Sequence, residues 1–589
     1  MKPEKPKKLG FKKIYLNLDK ILFLFFLIFM LVDYIWLPLN SLIAGFLLSQ
    51  TGFLFISYNN VFEILKHAPL VSFGFLILIA INLLVAYFQL SLLFIGIGAR
   101  HLLYHEKRTL IEYSRKVFRE SIAFMKRLTV SKALFIFVYI AMIFPFIRKI
   151  FKIYYFNKIV IPDFIQTYME DKYWMWWFGI IILSILFLYV SVKLVFVLPK
   201  IFFEKMTVKD AVVYSFEKTR NHFWFYAWHL FLILVKTNLF FYLSLIPLLL
   251  IQSLADGLTH RESLILAISN FILIKNIHYM SLTYFLVKFT SFLTGEELDI
   301  MPRRKKDHIM RWGVMGCASI FFAIEGYIYL EAPVVNPPLV ISHRGVSNGN
   351  GVQNTVESLE KTAQLKPDLV EMDVQETKDG QFVMMHDANL KSLAGLNVKP
   401  QDLTLDELKQ LDIYENGYQT KISSFDDYLN RANDLHQKLL IEIKTSRKDS
   451  AQMMDHFLDQ YGAKIKVYGH QMQSLDYHVI EKVTQYDKEI PVYFILPYNS
   501  VFPRTNATGY TMEYSTLDEY FVTKLWNTKQ KLYVWTINGS ESFDKSLRLG
   551  VDGMITDDLE KIKEELETVQ ENPEYADLLL KKATEFFTF

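Results

Sequence analysis

Titratable and charged side chains recur at the ends of short apolar segments in the second half of this 589-residue sequence. Those considered first are His343, Arg344, Glu371, Asp373, His386, Glu442 and Lys444. Converging carboxylates can hold a hard cation such as Ca²⁺ or Mg²⁺, because these ions prefer oxygen ligands. Histidines exchange protons near neutral pH, and an Arg or a Lys binds phosphate. This combination predicts metal-assisted cleavage of a phosphate ester.

The spacing of the acidic residues predicts that their side chains point the same way. Glu371 and Asp373 are two residues apart, so they share one face of a strand, and the same holds for Glu442 and Lys444. A buried carboxylate is costly unless it is paired or binds a metal. We therefore predict that the three carboxylates are ligands of Ca²⁺ or Mg²⁺. Arg344 and Lys444 are then predicted to hold the phosphate.

The two histidines, His343 and His386, are predicted to divide the acid and base roles of this reaction. Each feature also has a simpler explanation. A single histidine at a strand end is more often a hydrogen-bonded structural residue, and Glu-x-Asp or Glu-Ile-Lys can be an ordinary ion pair. The functional interpretation depends on the coincidence of five such positions at the ends of predicted strands.

The segments that carry these residues are predicted to be strands of a closed sheet. From residue 333 onward, short apolar strands alternate with helical segments, which favours a parallel sheet. The predicted strands are 339–342, 369–374, 382–386, 439–444, 466–469, 491–496, 532–537 and 553–556. About eight strands in this length fit an α/β TIM barrel, (β/α)₈, in which functional side chains gather at the carboxyl ends of the strands.

The first half of the chain has long apolar runs, which predict an all-α polytopic membrane domain. Apolar residues form 52% of the sequence and charged residues only 21%, which is unusual for a soluble protein. A bilayer core requires roughly 20 apolar residues in a helix. Seven candidate spans are 21–39, 69–99, 133–147, 174–198, 223–254, 262–293 and 310–330. The apolar segment 40–56 is interpreted as an eighth span, a re-entrant hairpin or an interfacial helix.

The distribution of Lys and Arg predicts the orientation of the spans. The first 20 residues contain seven Lys, whereas residues 40–68 contain only Lys66. Cytoplasmic connections retain Lys and Arg, so seven spans place the N terminus in the cytoplasm and the second half of the chain outside the cell membrane. A signal peptide is disfavoured, because the first apolar run is long enough to span.

The chain is therefore predicted to contain a membrane domain at 1–330, a barrel at 331–570 and a helical tail at 571–589. The net charge of +3 gives no support for nucleic-acid binding. The single cysteine, Cys317, excludes a disulfide within the chain and a zinc site built on several cysteines.

Five blocks of the second half, HRG, VEMDVQETKDGQFVMMHD, LLIEIK, VWTIN and GVDGMITD, together resemble the glycerophosphodiester phosphodiesterase family. The whole chain resembles membrane-bound members of that family in Gram-positive bacteria. The resemblance implies a TIM barrel that uses a divalent cation to hydrolyse a glycerophosphodiester to glycerol 3-phosphate and an alcohol. The resemblance further implies that a glyceryl hydroxyl attacks phosphorus first, giving a cyclic phosphate that water opens. The resemblance also implies that Trp535 forms part of the wall around the glyceryl group.

The sequence departs from the family pattern in three places. Val352-Gln353-Asn354-Thr355 replaces the usual Pro-Glu-Asn-Thr after HRG, and GHQMQSL replaces the usual Ser-Phe after the fifth strand. The stretch between Leu496 and Thr511 is irregular, with Pro497, Pro503 and Gly509. These departures affect substrate choice rather than the core reaction. Because of the membrane anchor, the substrate is expected to be a lipid-linked or teichoic acid diester, and soluble diesters are equally compatible. Two alternatives are a non-enzymatic lipid-binding or transport protein that senses a phosphodiester, and a phospholipase C- or D-like activity on whole lipids.

Overall fold

The computed structural model describes residues 31–56, 60–98, 109–147, 165, 169, 176–294, 305–335, 337–498, 501–571 and 574–585. Within these ranges the first half of the chain is helical. A π-helical turn, Val32–Trp36, precedes the first helix. The helices are α1 (Leu37–Ser49), α2 (Val61–His67), α3 (Pro69–Gly98), α4 (Leu110–Met125), α5 (Val130–Ile147), α6 (Trp176–Lys193), α7 (Val197–Phe203), α8 (Val208–Arg220), α9 (Phe223–Ala255), α10 (His260–Thr294) and α11 (Lys305–Val335).

Four helical stretches of the described ranges are long and apolar enough to cross a membrane, and each overlaps a predicted span. They are Pro69–Gly96, Trp177–Phe203, Phe223–Ala255 and His260–Thr294. The predicted spans 133–147 and 310–330 lie within α5 and α11. The predicted span 21–39 is described only from residue 31, and its helix continues through Ser49. Residues 40–49 therefore extend the first helix instead of forming a separate span.

In the second half of the chain, eight parallel strands close into a barrel in the order β1-β2-β6-β7-β8-β9-β10-β11, with β11 paired to β1. The strands are β1 (Leu339–Ser342), β2 (Leu369–Glu376), β3 (Phe382–Met384), β4 (Asp412–Glu415), β5 (Tyr418–Lys421), β6 (Leu439–Ile443), β7 (Gln471–Ser474), β8 (Val492–Leu496), β9 (Gly509–Glu513), β10 (Lys531–Trp535) and β11 (Gly553–Thr556). The predicted TIM barrel is confirmed. Strands β4 and β5 form a separate antiparallel hairpin.

Helices surround the barrel and connect its strands. They are α12 (Val356–Ala363), α13 (Lys391–Ala394), α14 (Leu405–Lys409), α15 (Phe425–Asp434), α16 (Met453–Tyr468), α17 (Tyr477–Tyr486), α18 (Glu519–Thr528), α19 (Ser540–Leu549), α20 (Leu559–Glu571) and α21 (Tyr575–Glu585). Polar side chains begin several of them by accepting a backbone N–H of the first turn, a favourable N-cap arrangement. The capping residues include Thr355, Thr404, Ser424, Asp476 and Asp518.

Three details of the predicted strand pattern are wrong. Residues 466–469 end helix α16, which terminates at Gly469 in the left-handed conformation with φ of 69°. Residues 382–384 form an antiparallel partner of β2 rather than a barrel strand. The intervening turn is too short for the crossover that a parallel pair requires. The eighth barrel strand is instead β9, in a stretch whose Pro and Gly content obscured it.

Alternation along the strands divides the apolar side chains of the barrel into two layers. The inner layer contains Ile341, Leu369, Leu440, Tyr493, Tyr533 and Ile555. The layer between the strands and the surrounding helices, which we call the outer layer, includes Val370, Met372, Ile441 and Phe494. Since Leu369 faces inward and Val370 outward, Glu371 and Asp373 of the same strand face inward. The strand pattern thus delivers charged side chains to the barrel interior.

The C-terminal helix α21 joins the barrel to the helices of the first half. Leu579 packs in one buried cluster with Phe271 of α10. The Asp256 carboxylate, at the end of α9, accepts the backbone N–H of Ala576 at 2.9 Å. On its other side, Lys581 pairs with Asp544 of α19 at 2.9 Å. This helix therefore contacts both halves of the chain.

Candidate active site

The predicted carboxylates meet at the carboxyl end of the barrel strands, which we call the mouth. Asp373 on β2 is the register partner of Glu442 on β6. Glu371, Asp373 and Glu442 are 3%, 1% and 8% exposed, and each offers an oxygen within 4.8 Å of the others. Burial, and then the charges of Asp373 and Glu442, raise the pKa of Glu371 well above its usual range. Ionisation of all three carboxylates of this carboxylate cluster is therefore costly unless a cation compensates their charge.

Lys444, directly after β6, compensates part of that charge. Its Nζ lies 2.7 Å from Glu442 Oε1 and 3.1 Å from Asp373 Oδ1. Although burial opposes ionisation, the ion pair lowers the pKa of Asp373 and raises the pKa of Lys444. Apart from this ion pair with Lys444, Asp373 Oδ1 has no hydrogen-bond partner in the described part of the chain. Three carboxylates against one ammonium leave negative charge on oxygen donors, so the cluster fits a hard divalent cation.

Neutral side chains hold the carboxylate cluster in place. Asn354 donates from Nδ2 to Asp373 Oδ2 at 2.8 Å and accepts the Asp373 backbone N–H at 2.9 Å. Gln473 on β7 donates from Nε2 to Glu371 Oε1 at 3.3 Å and lies 3.5 Å from Glu442 Oε2. The hydroxyl of Thr511 on β9 donates to Gln473 Oε1 at 2.9 Å. The orientation of the cluster is thus set by amide side chains from the surrounding strands and loops.

An aspartate holds each of the two predicted catalytic histidines. His343 Nδ1 lies 2.7 Å from Asp557 Oδ1, and His386 Nδ1 lies 2.8 Å from Asp387 Oδ1. Although burial favours its neutral form, the hydrogen bond from His343 lowers the pKa of Asp557 to about 2. The hydrogen bond from His386 lowers the pKa of Asp387 to about 2. Both aspartates are therefore ionised acceptors for Nδ1 protons, which leaves each Nε2 to act on a substrate.

Arg344 connects the histidines to the carboxylate cluster. Its backbone N–H donates to Glu371 Oε2 at 2.8 Å, and its Nη2 lies 2.9 Å from His386 Nε2. A guanidinium can only donate, so His386 Nε2 is the acceptor and the imidazole proton lies on Nδ1. Arg344 Nη1 donates to Gln353 Oε1 at 2.9 Å, while Nε is buried without a hydrogen-bond partner among the described residues.

The turn after β1 depends on glycine at position 345. Arg344 and Gly345 adopt left-handed φ values of 54° and 69°. A Cβ at Gly345 would collide with the hydroxyl of Tyr428, which is buried beneath the turn. Only glycine allows this close approach. The HRG pattern therefore has a conformational reason in addition to a chemical one.

Gln353, where the sequence departs from the family pattern, lies between Arg344 and the β4–β5 hairpin. Its backbone N–H and its Nε2 donate to the two carboxylate oxygens of Glu415, at 2.8 Å and 2.5 Å. A carboxylate is therefore present near this position, but it binds the neutral amide and not the guanidinium. The guanidinium of Arg344 is therefore hydrogen-bonded to two neutral side chains, Gln353 and His386, and not to a carboxylate.

Trp535, the last residue of β10, lies partly buried against the inner apolar layer at the mouth. The structure thus places all of the predicted site residues at one end of the barrel. These are His343, Arg344, Glu371, Asp373, His386, Glu442, Lys444 and Trp535. Sequence analysis did not identify Asp557 or Gln473. Asp557 follows a strand end, the signal that identified His343, whereas Gln473 lies in a strand that was predicted a few residues too early.

Comparisons with known proteins agree on one family. Residues 7–323 match the family described as the membrane domain of glycerophosphoryl diester phosphodiesterase, and residues 343–561 match the glycerophosphoryl diester phosphodiesterase family. The first match alone covers more than half of the chain.

Individual relatives resemble the second half. A glycerophosphodiester phosphodiesterase of Caldanaerobacter subterraneus is 26% identical, over 38% of this chain and 96% of the relative. One of Bacillus altitudinis is 25% identical, over 38% of this chain and 98% of the relative. A crystal structure of a glycerophosphodiester phosphodiesterase from Parabacteroides distasonis is 23% identical, with a TM-score of 0.35, over 40% of this chain and 98% of that chain. From the match over residues 7–323, the chain belongs to the glycerophosphoryl diester phosphodiesterase family.

Proposed function

We propose that this chain hydrolyses glycerophosphodiesters at the barrel mouth, releasing glycerol 3-phosphate and an alcohol, and that it requires Ca²⁺ or Mg²⁺. The observation that carries the proposal is the meeting of three buried carboxylates, two aspartate-held imidazoles and one guanidinium at one end of the barrel. The family match over this half of the chain supports the same reaction class. When bound by the carboxylate cluster, the cation would supply positive charge that polarises the phosphoryl group.

The phosphate is proposed to bind between Arg344, Lys444 and the carboxylate cluster. Arg344 suits this role because its guanidinium is hydrogen-bonded to neutral groups and its Nε is buried without a partner among the described residues. Lys444 lies at the mouth end of β6 and balances the cluster. Trp535 is proposed to cover the apolar face of the glyceryl group. These contacts would orient the phosphorus before reaction.

The two histidines are proposed to have different roles. His386 Nε2 carries a lone pair that now accepts from Arg344. We propose that phosphate attracts Arg344 away, so that His386 can take the proton of an attacking hydroxyl as general base. His343, whose Nδ1 is held by Asp557, is proposed to donate a proton from Nε2 to the leaving alcohol.

The attacking group is proposed to be the hydroxyl of the glyceryl moiety next to the phosphoester. Its oxygen forms a bond to phosphorus as the alcohol leaves, and water then opens the resulting cyclic phosphate to glycerol 3-phosphate. With the full chain in detergent, glycerophosphocholine is expected to give choline and glycerol 3-phosphate. The glycerol 3-phosphate is detected by phosphorus NMR. An analogue that lacks that hydroxyl is expected to react at least about 100-fold more slowly, because an intramolecular nucleophile is lost.

The same measurement separates the alternatives. Equal rates for both substrates would contradict the proposed attack by the glyceryl hydroxyl. Cleavage of whole phospholipids but not of glycerophosphodiesters would indicate a phospholipase C- or D-like enzyme. Tight binding of glycerophosphocholine without any cleavage would favour a non-enzymatic binding or transport protein.

We propose that the barrel lies on the outer side of the cell membrane, where its substrate is soluble, lipid-linked or a glycerol-phosphate teichoic acid. The connection around Leu54, which is poor in Lys and Arg, bonds the barrel at Arg504, and the similarly poor connection at Asp256 bonds the C-terminal helix. Both connections therefore lie on the barrel side of the helices, whereas cytoplasmic connections are rich in Lys and Arg.

Protease added to intact cells is expected to cleave the barrel, and full protection of the barrel until the cells are lysed would contradict this orientation.

A further inference from the structure

The ring of helices around the barrel has a gap between β8 and β9. Every other parallel strand is followed by at least one helix before the next parallel strand or the end of the barrel. The described residues between β8 and β9, 497–498 and 501–508, contain no helix. Helix α17 covers outward-facing side chains of β8 such as Phe494, whose ring lies 5.4 Å from that of Tyr477. On the side toward β9 these side chains lack the second helix that is usual in a TIM barrel.

A segment from the N-terminal half fills this gap. Between α1 and α2, the ring of Phe55 lies 4.8 Å from the ring of Phe494 and 5.8 Å from that of Tyr477 on α17. Phe55 thereby packs against the outer layer of the barrel. The neighbouring carbonyl of Leu54 accepts the backbone N–H of Arg504 at 2.7 Å. Residues 53–56 thus supply both an aromatic contact and a backbone hydrogen bond where a helix is missing.

The contact is reciprocal. Val501, in the helix-free connection of the barrel, is buried in one cluster with Ala44 and Leu48 of α1 and Leu78 of α3. Helix α3 is among those long and apolar enough to cross a membrane. An apolar side chain from each half is therefore inserted into the other half, which resists separation or sliding of the two parts.

The helix-free connection starts at the mouth. Pro497 directly follows β8, and its carbonyl accepts the hydroxyl of Thr516 at 3.4 Å. The backbone N–H of Thr516 donates to the carboxylate of Glu513 at 3.2 Å. Glu513 is in turn the register partner of Trp535. The helix-free connection is therefore linked, through Thr516 and Glu513, to the strand that ends in Trp535 at the proposed substrate wall.

We propose that residues 53–56 replace the missing barrel helix and fix the described part of the helix-free connection, 497–498 and 501–508, against the membrane helices. The effect of this contact on substrate affinity rests on the proposed function, whereas the packing between residues 53–56 and the barrel does not. The catalytic barrel is then completed by the membrane domain, which is more than a tether. Loss of the Phe55 ring should loosen the helix-free connection and weaken substrate binding while leaving the carboxylate cluster, which Phe55 does not contact, assembled.

The test compares Phe55→Ala with Phe62→Ala in the full chain reconstituted in lipid nanodiscs. Phe62 lies on α2, close in sequence, but is 77% exposed, so it is a matched control. Chymotrypsin cleavage within 497–508 is expected to be about tenfold faster for Phe55→Ala, because proteolysis follows the population of the open state. The KM for glycerophosphocholine is expected to rise by about fivefold with a smaller change in kcat. Phe62→Ala should match the wild type in both measurements.

Equal cleavage rates for the two variants would overturn the proposal. If Phe55→Ala does not fold, cross-linking of Leu54 to Arg504 tests whether the contact forms. A Leu54→Cys/Arg504→Cys pair in a Cys317→Ser chain is expected to be joined rapidly by a short bis-maleimide, with the KM unchanged. A folded double variant that is not cross-linked would show that the contact is not formed. Proteolysis and cross-linking need no substrate, so an inactive wild-type chain would contradict the proposed function without deciding this inference.

Discussion

Replacing His386 by alanine is expected to lower kcat by about 10³-fold, within the range that general acid–base groups contribute. The guanidinium of Arg344 donates to His386 Nε2, so the free protein already has this nitrogen unprotonated. Asp387 holds the proton on Nδ1 at 2.8 Å. The base is therefore present in the required tautomer before substrate binds. Its loss should lower the rate for every glycerophosphodiester, whatever the leaving alcohol.

The leaving group separates the two histidines. His343→Ala is expected to lower kcat for glycerophosphocholine by about 10²-fold or more, because choline leaves as an alkoxide unless it is protonated. With glycerophospho-p-nitrophenol, the p-nitrophenyl ester of glycerol 3-phosphate, kcat should fall by less than about tenfold, since a nitrophenolate leaves without a proton. His386→Ala should reduce both rates equally. Both rates can be measured with purified full-length protein at saturating metal.

His478→Ala provides a matched control, because His478 is an exposed histidine on α17 that is not among the residues of the site. It should leave both rates unchanged. The opposite pattern, in which His386→Ala is rescued by the better leaving group and His343→Ala is not, would reverse the assigned roles. Equal losses for both variants on both esters would contradict any division of acid and base.

The period-two pattern of two strands was enough to predict the carboxylate cluster. In a parallel barrel, Glu371, Asp373 and Glu442 must face the interior if Leu369 and Leu440 do, and all strand ends meet at one mouth. The prediction was robust because it needed only strand direction and alternation. An error of several residues in one strand, such as β7, did not affect the other strands.

What the sequence could not reveal is contact between residues that are distant in the chain and whose types carry no special signal. Gln473 is an ordinary polar residue until its strand is correctly placed beside Glu371. Phe55 lies in an apolar half, where one more aromatic residue is unremarkable. Its contact with Phe494 depends on a helix being absent from the barrel. Local propensity does not report such tertiary complementarity.

Glu371→Gln is expected to lower the affinity for Ca²⁺ or Mg²⁺ by more than about 100-fold, because even residues behind the ligands contribute 10–100-fold. Hydrolysis at sub-saturating metal should fall in parallel. Glutamine keeps the size of the side chain and the acceptor for the Arg344 backbone N–H. The change therefore removes charge from the carboxylate cluster with little effect on its shape.

In the absence of metal, Glu371→Gln is expected to stabilise the folded protein, although it weakens metal binding. Burial and the charges of Asp373 and Glu442 raise the pKa of Glu371, so ionisation of this carboxyl costs free energy in the folded protein that it does not cost in the unfolded chain. Neutral glutamine removes this repulsion, and the melting temperature in chelator is expected to rise by about 2–4 °C for each kcal/mol gained. Wild-type protein should instead be stabilised strongly by added Ca²⁺ or Mg²⁺, and the variant only weakly.

Glu481→Gln removes an exposed carboxylate from α17 and should change neither property. The combination of a more stable metal-free protein and a lost response to metal is specific to a cluster that binds a cation. A simple structural ion pair would predict the reverse, a less stable variant at every metal concentration, because charge balance with Lys444 would be disturbed. Unchanged metal affinity in Glu371→Gln would mean that the three carboxylates do not share an ion.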